Sequence, residues 1–141
     1  MRILGIDYGD ARVGFAVCDK SEILATGLHT VKVKGMTEAA EAAVKIAVDE
    51  GAEMIVVGLP LNMDGTRGER AEKTEVFCSM LRDRSNLNVE TMDERRTTVS
   101  AHNIMIENGV KRGKKKALVD TISAEIILQT FIDKRKNQGN C

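Results

Sequence analysis

Three places in this sequence hold acids whose chemistry could act together: Asp7, the pair Asp93 and Glu94, and Asp120. Asp7 ends a short apolar run inside G-I-D-Y-G, where Gly5 and Gly9 leave the backbone open to a closely approaching group. An acid at a strand end also caps turns, so taken alone Asp7 reads as a turn residue more often than as a catalytic one. Asp93 and Glu94 are followed at once by Arg95 and Arg96. Such a quartet is either a solvated turn or a carboxylate in a cleft beside an arginine set against a phosphate. Asp120 shares one side of a helical wheel with Ala117, Ala124, Ile127 and Phe131. A carboxylate among apolar neighbours is costly unless it is paired or bound to a metal. The plainer reading is an acid near a helix N-terminus, favoured by the dipole. Several carboxylates converging on one cleft repel each other and call for a cation, for which hard Mg²⁺ or Mn²⁺ with oxygen ligands is the usual solution. Two such ions can activate water and stabilise a leaving oxygen in phosphodiester hydrolysis.

Basic residues supply the second theme. Lys111, Arg112, Lys114, Lys115 and Lys116 flank Gly113 just before the stretch that bears Asp120. A charge run is usually a solvated loop, but this one adjoins a candidate metal ligand. That placement suits a grip on a phosphate backbone, which gives affinity without reading sequence. Over the chain the 21 basic and 21 acidic residues cancel, yet residues 1–70 carry net −3 and residues 71–141 net +3. A neutral protein with one basic segment can still bind a polyanion there.

The elements that must position these residues follow from periodicity. Residues 2–8, 12–19 and 23–33 read as three strands close enough to pair as hairpins. From Met36 to Glu50 the period becomes helical, and Gly51 supplies a stop. Residues 53–58 are a fourth strand, 69–84 a second helix and 87–92 a fifth strand. Two further helices are expected over 96–108 and 117–136, separated by the basic loop. The order β-β-β-α-β-α-β-α-α implies a mixed α/β architecture: a five-stranded sheet with helices on both faces and sites at strand ends. Between the fourth strand and the second helix, Gly58 to Arg70 (GLPLNMDGTRGER) is turn-rich. It is either a plain crossover or a loop whose amides line a site. His29 and His102 lack ligand spacing.

Composition narrows the classes. The 141 residues, 43% hydrophobic and 30% charged, suit a single domain spanning 1–141. Aromatics are 3%, with no Trp, which disfavours a single-strand surface built on stacked rings. Cys18, Cys78 and Cys141 are odd in number and form no CxxC, so a reduced, cytosolic chain is expected without a disulfide framework or zinc site. No apolar run approaches the ~20 residues of a membrane span, and Met1 to Ile6 reads as a strand, not a signal peptide.

Five segments in order resemble the YqgF proteins, also called the RuvX type. They are LGIDYGDARVGFAVCD at 4–19, VVGLPLNMDGTRG at 56–68, DERRTT at 93–98, the KRGKKK stretch, and VDTISAEIILQ at 119–129. The resemblance implies a ribonuclease H-like fold related to the resolvase RuvC. It also implies a cytoplasmic nuclease that matures the 5′ end of pre-16S ribosomal RNA, with Holliday-junction resolvase as an older label. In that pattern Asp7 matches the acid of the first strand, Glu94 or Asp93 that of the later strand, and Asp120 that of the last helix. Asp7, Glu94 and Asp120 would then hold Mg²⁺ or Mn²⁺. Arg95, Arg96, Lys111, Arg112 and Lys114 to Lys116 would bind nucleic acid, pre-rRNA or branched DNA. Cys18 stands where Ser is expected, Arg96 where Leu is common and Ser123 where Ala is common; none of these removes an acid. Two rivals remain at this point: a nucleotide-binding module, since G-I-D-Y-G also resembles the phosphate loop of actin-like ATPases, and a non-catalytic RNA-binding assembly factor. The oligomeric state is left open between a monomer and a weak homodimer.

Overall fold

The structure, a computed structural model, describes the backbone of residues 1–94 and 112–139 and the side chains of residues 1–94 and 121–136. The helix expected over 96–108 and His102 lie outside these residues. Five strands are present: β1 (Ile3–Tyr8), β2 (Arg12–Cys18), β3 (Ala25–Lys32), β4 (Met54–Leu59) and β5 (Asn88–Asp93). Helix α1 (Met36–Glu50) joins β3 to β4, α2 (Glu69–Ser85) joins β4 to β5, and α3 (Arg112–Gly139) follows.

The sheet order is β3-β2-β1-β4-β5. β1, β2 and β3 pair antiparallel, whereas β1–β4 and β4–β5 pair parallel. The sheet is therefore mixed, as the alternation of local strands and helix-crossed strands implied. Successive side chains along a strand point to opposite faces. On one face Leu4, Ile6, Val13, Phe15, Ile55 and Val57 form a core with Ala40, Ala43 and Ala47 of α1 and Phe77, Cys78 and Leu81 of α2. On the other, Ile3, Ala16, Met54 and Val56 pack against Ala124, Ile127, Leu128 and Ile132 of α3. Both faces are covered, which is why β1 and β4 read as almost continuous apolar runs.

The two ends of α1 and α2 follow helix-end chemistry. Gly51 terminates α1 in the left-handed conformation at φ 67°, and its N–H bonds back to the Ala47 and Val48 carbonyls. Asn86 does the same for α2 at φ 58°.

One boundary differs from expectation. The KRGKKK stretch is not a loop: α3 starts at Arg112 and runs 28 residues. Lysine and arginine are good helix formers, and a single interior glycine costs only about 1 kcal/mol, so Gly113 does not break the helix. Position 120 is consequently in the third turn, beyond the first turn where the dipole acts.

α3 is fastened to the β2–β3 hairpin by polar contacts along its length. The Thr30 and Thr121 hydroxyls are 2.7 Å apart. Gln129 accepts from the Ala25 N–H at 2.8 Å and donates to the Ile23 carbonyl at 3.0 Å. Arg135 donates to Glu22 at 2.9 Å. Burial pushes the Glu22 carboxyl up, but hydrogen bonds and charge from the N-terminal ammonium and Arg135 outweigh it and hold the group below its ordinary value.

The open backbone at Gly5 is filled by the protein itself. A Cβ there would fall 2.7 Å from Leu128 Cβ and 3.1 Å from the Ala124 carbonyl oxygen. Gly9 is tight for a different reason, since a Cβ would meet the Arg12 carbonyl oxygen at 2.6 Å across the β1–β2 turn. Gly5→Ala is expected to force α3 off the sheet and destabilise the fold by about 1–3 kcal/mol, the range for overpacked cores. Urea unfolding monitored by circular dichroism checks this; an unchanged midpoint would mean that the helix is not seated at Gly5.

Candidate active site

Pleat and register decide where the acids stand. Leu4, Ile6 and Tyr8 face α1 and α2, whereas Ile3 and Gly5 face α3. Asp7 continues the second set and lies on the α3 face. In the parallel register β1–β4, Ile6 pairs with Val57, so Asp7 and Gly58 stand one residue further on adjacent strands. On β5, Gly58 pairs with Met92 and Leu59 with Asp93. Glu94 follows β5 immediately, and its side chain lies across Gly58: a Cβ built there would fall 2.7 Å from Glu94 Cγ, 2.9 Å from Glu94 Cδ and 2.5 Å from Ile127 Cδ1.

Asp7 and Glu94 therefore share the α3 face at the C-terminal ends of β1 and β5, with β4 and its Gly58 between them. Neighbouring strands are about 4.8 Å apart, which leaves the intervening strand only backbone at this level. Asp93 pairs with Leu59, whose place in the alternation with Val57 puts it on the opposite face, toward α2. The sequence left Asp93 and Glu94 as equal alternatives; the register separates them.

α3 crosses above this pair. Ala124, Ile127 and Leu128 are fully buried against the sheet. Position 120, four residues before Ala124 and seven before Ile127, has its backbone on the same side of the helix. The Asp120 side chain lies outside the described residues. Its neighbour Thr121 ties this part of α3 to β3 through Thr30. The same threonine closes over Gly27, where a Cβ would fall 2.7 Å from Thr121 Cγ2.

Among the described residues no three His, Cys, Asp or Glu side chains form a group able to hold a metal. Asp7 and Glu94 are two hard oxygen donors on one face, and a third could come from the segment of α3 that carries Asp120. Arg95, Arg96 and Lys111 lie outside the described residues. Arg112, Lys114, Lys115 and Lys116 occupy the first turns of α3, which contain no acid in the first turn. His29 is exposed beside Phe15, with ring centroids 6.1 Å apart.

The opposite side of the β1 end is built differently. Tyr8 stacks on Phe77 with centroids 4.2 Å apart, and burial, then the Asp10 charge, raises its hydroxyl pKa. A small cleft there is lined by Tyr8, Asp10, Arg70, Lys73 and Thr74. Thr74 is buried but spends its hydroxyl on the Arg70 carbonyl at 2.8 Å. Cys78 behind it is an inert thiol, pushed up to about 11 by burial.

Two glycines carry roles that residue types alone did not reveal. Gly58 admits the Glu94 side chain and Gly5 admits α3. The signal available was a glycine inside each of two otherwise bulky strand runs, ILGIDY and MIVVGL.

The RuvX family, described as a Holliday junction resolvase, matches residues 1–134. The chain belongs to the RuvX family. A relative from Ruminiclostridium cellulolyticum named "Putative pre-16S rRNA nuclease" is 46% identical over 135 residues, covering 95% of each chain. A Clostridium novyi relative of the same name is 41% identical, covering 94% of this chain and 98% of its own. Among solved structures, Thermus thermophilus RuvC in complex with a Holliday junction superposes with a TM-score of 0.62 at 16% identity, covering 97% and 96% of the two chains. The fowlpox virus resolvase, also bound to a junction, gives 0.61 at 10% identity, covering 96% and 99%. The nuclease of a large terminase from phage G20c gives 0.55 at 12%, covering 93% and 81%. At such identities the likeness establishes the fold: this RuvX chain has the ribonuclease H-like architecture of RuvC. Among the described residues no helix is long and apolar enough to cross a membrane.

Gly58→Ala in the RuvX chain is expected to displace Glu94 and Ile127 together. Misplacing a reacting group by about 1 Å can cost about 10²-fold in rate. Nuclease activity should therefore fall by about that factor, while Gly5→Ala, which does not touch Glu94, loses activity only in step with its stability. Equal specific activities of the two folded variants would show that Glu94 is not held by Gly58.

Proposed function

We propose that this RuvX chain is a divalent-metal-dependent nuclease that hydrolyses a phosphodiester bond of precursor 16S ribosomal RNA, acting in the cytoplasm as one domain. The observation that carries the proposal is the meeting of Asp7 and Glu94 on one face, at the ends of β1 and β5, across a strand that offers only Gly58 between them. Two carboxylates brought together on a face covered by an apolar helix repel each other unless a cation or proton intervenes. Asp7, Glu94 and Asp120 are the residues that would hold Mg²⁺ or Mn²⁺. When bound, such an ion lowers the pKa of water and neutralises charge on the phosphate oxygens.

The chain's own residues then have separable tasks. Asp7 and Glu94 hold fixed positions because one lies within β1 and the other is pressed between Gly58 and Ile127. Ile127, Ala124 and Leu128 keep the floor of the site apolar and exclude water from beneath it. The first turns of α3 place Arg112, Lys114, Lys115 and Lys116 at the positive end of a helix dipole, an arrangement that is unfavourable on its own. A polyanion laid along that end relieves the repulsion. Arg95 and Arg96 follow Glu94 directly and are proposed to contact the phosphate nearest the acids.

The names of the 41–46% identical relatives support ribosomal RNA as substrate. The family description supports a second reading, resolution of four-way DNA. Parallel cleavage assays with precursor RNA and a four-way junction, with and without Mn²⁺, separate the two. Binding without cleavage of either would instead make the protein a non-catalytic RNA-binding factor, and tight ATP binding would favour a nucleotide-binding module.

Asp7→Asn and Glu94→Gln are each expected to abolish metal-dependent cleavage while retaining the thermal unfolding transition. Cleavage by Asp7→Asn at the wild-type rate across a Mn²⁺ titration overturns the assignment. Replacing Lys114, Lys115 and Lys116 together with Ala should weaken binding at low salt and flatten its salt dependence, by about 0.7 in log–log slope for each single-strand phosphate that is no longer neutralised. Turnover at saturating substrate should change far less, because binding lost equally from ground and transition states mainly raises KM. An unchanged salt slope would leave these lysines as solvated helix residues.

A further inference from the structure

The loop 60–68 connects β4 to α2 at the edge where Asp7, Gly58 and Glu94 gather, and it is ordered by its own hydrogen bonds. The Asn62 N–H donates to the Thr66 carbonyl at 2.9 Å, and the Gly65 N–H to the Asn62 carbonyl at 2.8 Å. Asn62 Nδ2 donates to Thr66 Oγ1 at 3.0 Å, and Thr66 Oγ1 donates to the Asp64 carboxylate at 2.6 Å. At the base, the Asn62 amide closes against Gly68, where a Cβ would fall 3.2 Å from Asn62 Oδ1. Gly65 takes φ +88°, which a side chain would resist. The turn is thus built to hold one shape, and what it displays is Met63.

Met63 is 89% exposed, more than any other large apolar side chain among the described residues. The others lie elsewhere: Ile23 and Leu24 in the β2–β3 turn at the far end of the sheet, Val48 and Val76 on the outer sides of α1 and α2. The second position of a turn accepts most residues and is ordinarily polar. Aromatic side chains do not serve this edge. The chain has three Phe and one Tyr. Phe15 and Phe77 are fully buried, Tyr8 is 9% exposed beneath α2, and Phe131 packs against the core under α3.

We propose that Met63 is a base wedge: the loop holds its side chain against, or between, nucleobases of the substrate beside the cleaved phosphate and unstacks them. The inference rests on the nuclease reading and extends it to how the bases, not the phosphates, are handled. A long, polarisable thioether packs on flat π-faces, and apolar side chains including Met insert between base steps in proteins that kink nucleic acid. Recognition of this kind is tolerant of sequence, because every base has a face. It favours branch points, bulges and single-strand junctions, where unstacking is cheapest.

The test uses the full chain in EDTA, so that nothing is cleaved. 2-Aminopurine, whose emission rises when it is unstacked, is placed at successive positions across the mature 5′ end of precursor 16S RNA. In a second arm it is placed at the branch of a four-way DNA junction. Wild type should raise emission at one or two adjacent positions. Met63→Ala should abolish the rise and weaken binding, read by anisotropy, by about threefold to tenfold. Met63→Leu, of similar size and equally apolar, should restore both. An undiminished rise with Met63→Ala overturns the proposal, as does wild-type binding without a rise at any position. Failure of wild type to bind either nucleic acid overturns the nuclease reading together with the wedge.

Discussion

Helix α3 can lie against the sheet only because β1 carries glycine where the helix presses in. At Gly5 the backbone itself is the contact surface, with the Ala124 carbonyl and Leu128 Cβ closer than a side chain would permit. That close approach fixes the height of α3 above the strands. The height in turn decides how far the segment bearing Asp120 stands from Asp7, two residues further along the same strand. Gly58 repeats the device one strand over, where the space is shared between Ile127 and the Glu94 side chain. The hydrophobic seat of α3 and the placement of the acids are thus one packing problem. The hydroxyl pair Thr30–Thr121 and the Gln129 amide set the helix along its axis, so a slip by one residue would break directional bonds as well as the apolar seam.

The two faces of the sheet have taken different work. On the α1 and α2 side the strand residues are large and the helix residues small, with Ala39, Ala40, Ala43 and Ala47 set against Leu4, Ile6 and Phe15. On the α3 side the pattern inverts, and small strand residues, Gly5, Ala16 and Gly58, receive Ile127, Leu128 and Ile132. A helix that brings its own bulk can reach the middle strands closely, which suits the face that carries the acids. The face filled by strand side chains is the more self-sufficient core.

Much of this was legible in the residues themselves. β-branched runs marked the five strands, the change to helical period at Met36 and the stop at Gly51 marked α1, and the mixture of short and helix-crossed connections implied a mixed sheet covered on both sides. Two things were not. Asp93 and Glu94 are neighbours, and which of them faces Asp7 depends on the pairing of Leu59 with Asp93, a register that only tertiary contacts define. The start of α3 was hidden because a glycine amid lysines carries the composition of a loop, while helix propensity there favours the opposite outcome. Asp120 was singled out by its place on a helical wheel. The wheel held for Ala124 and Ile127, which are buried, and moved position 120 from a helix end to a helix interior. Gly5 was read as room for a ligand and turned out to be room for the protein.

Tyr8 has a further significance that comes from scarcity. The chain contains one tyrosine and no tryptophan. That single phenol follows Asp7 directly, points away from it through the pleat, and is clamped on Phe77. All ultraviolet emission excited above the phenylalanine band therefore originates one residue from the acid end of β1. The molecule carries a built-in optical reporter at that strand end, facing away from the substrate, so its signal follows movements of the strand and is not quenched by a stacked base.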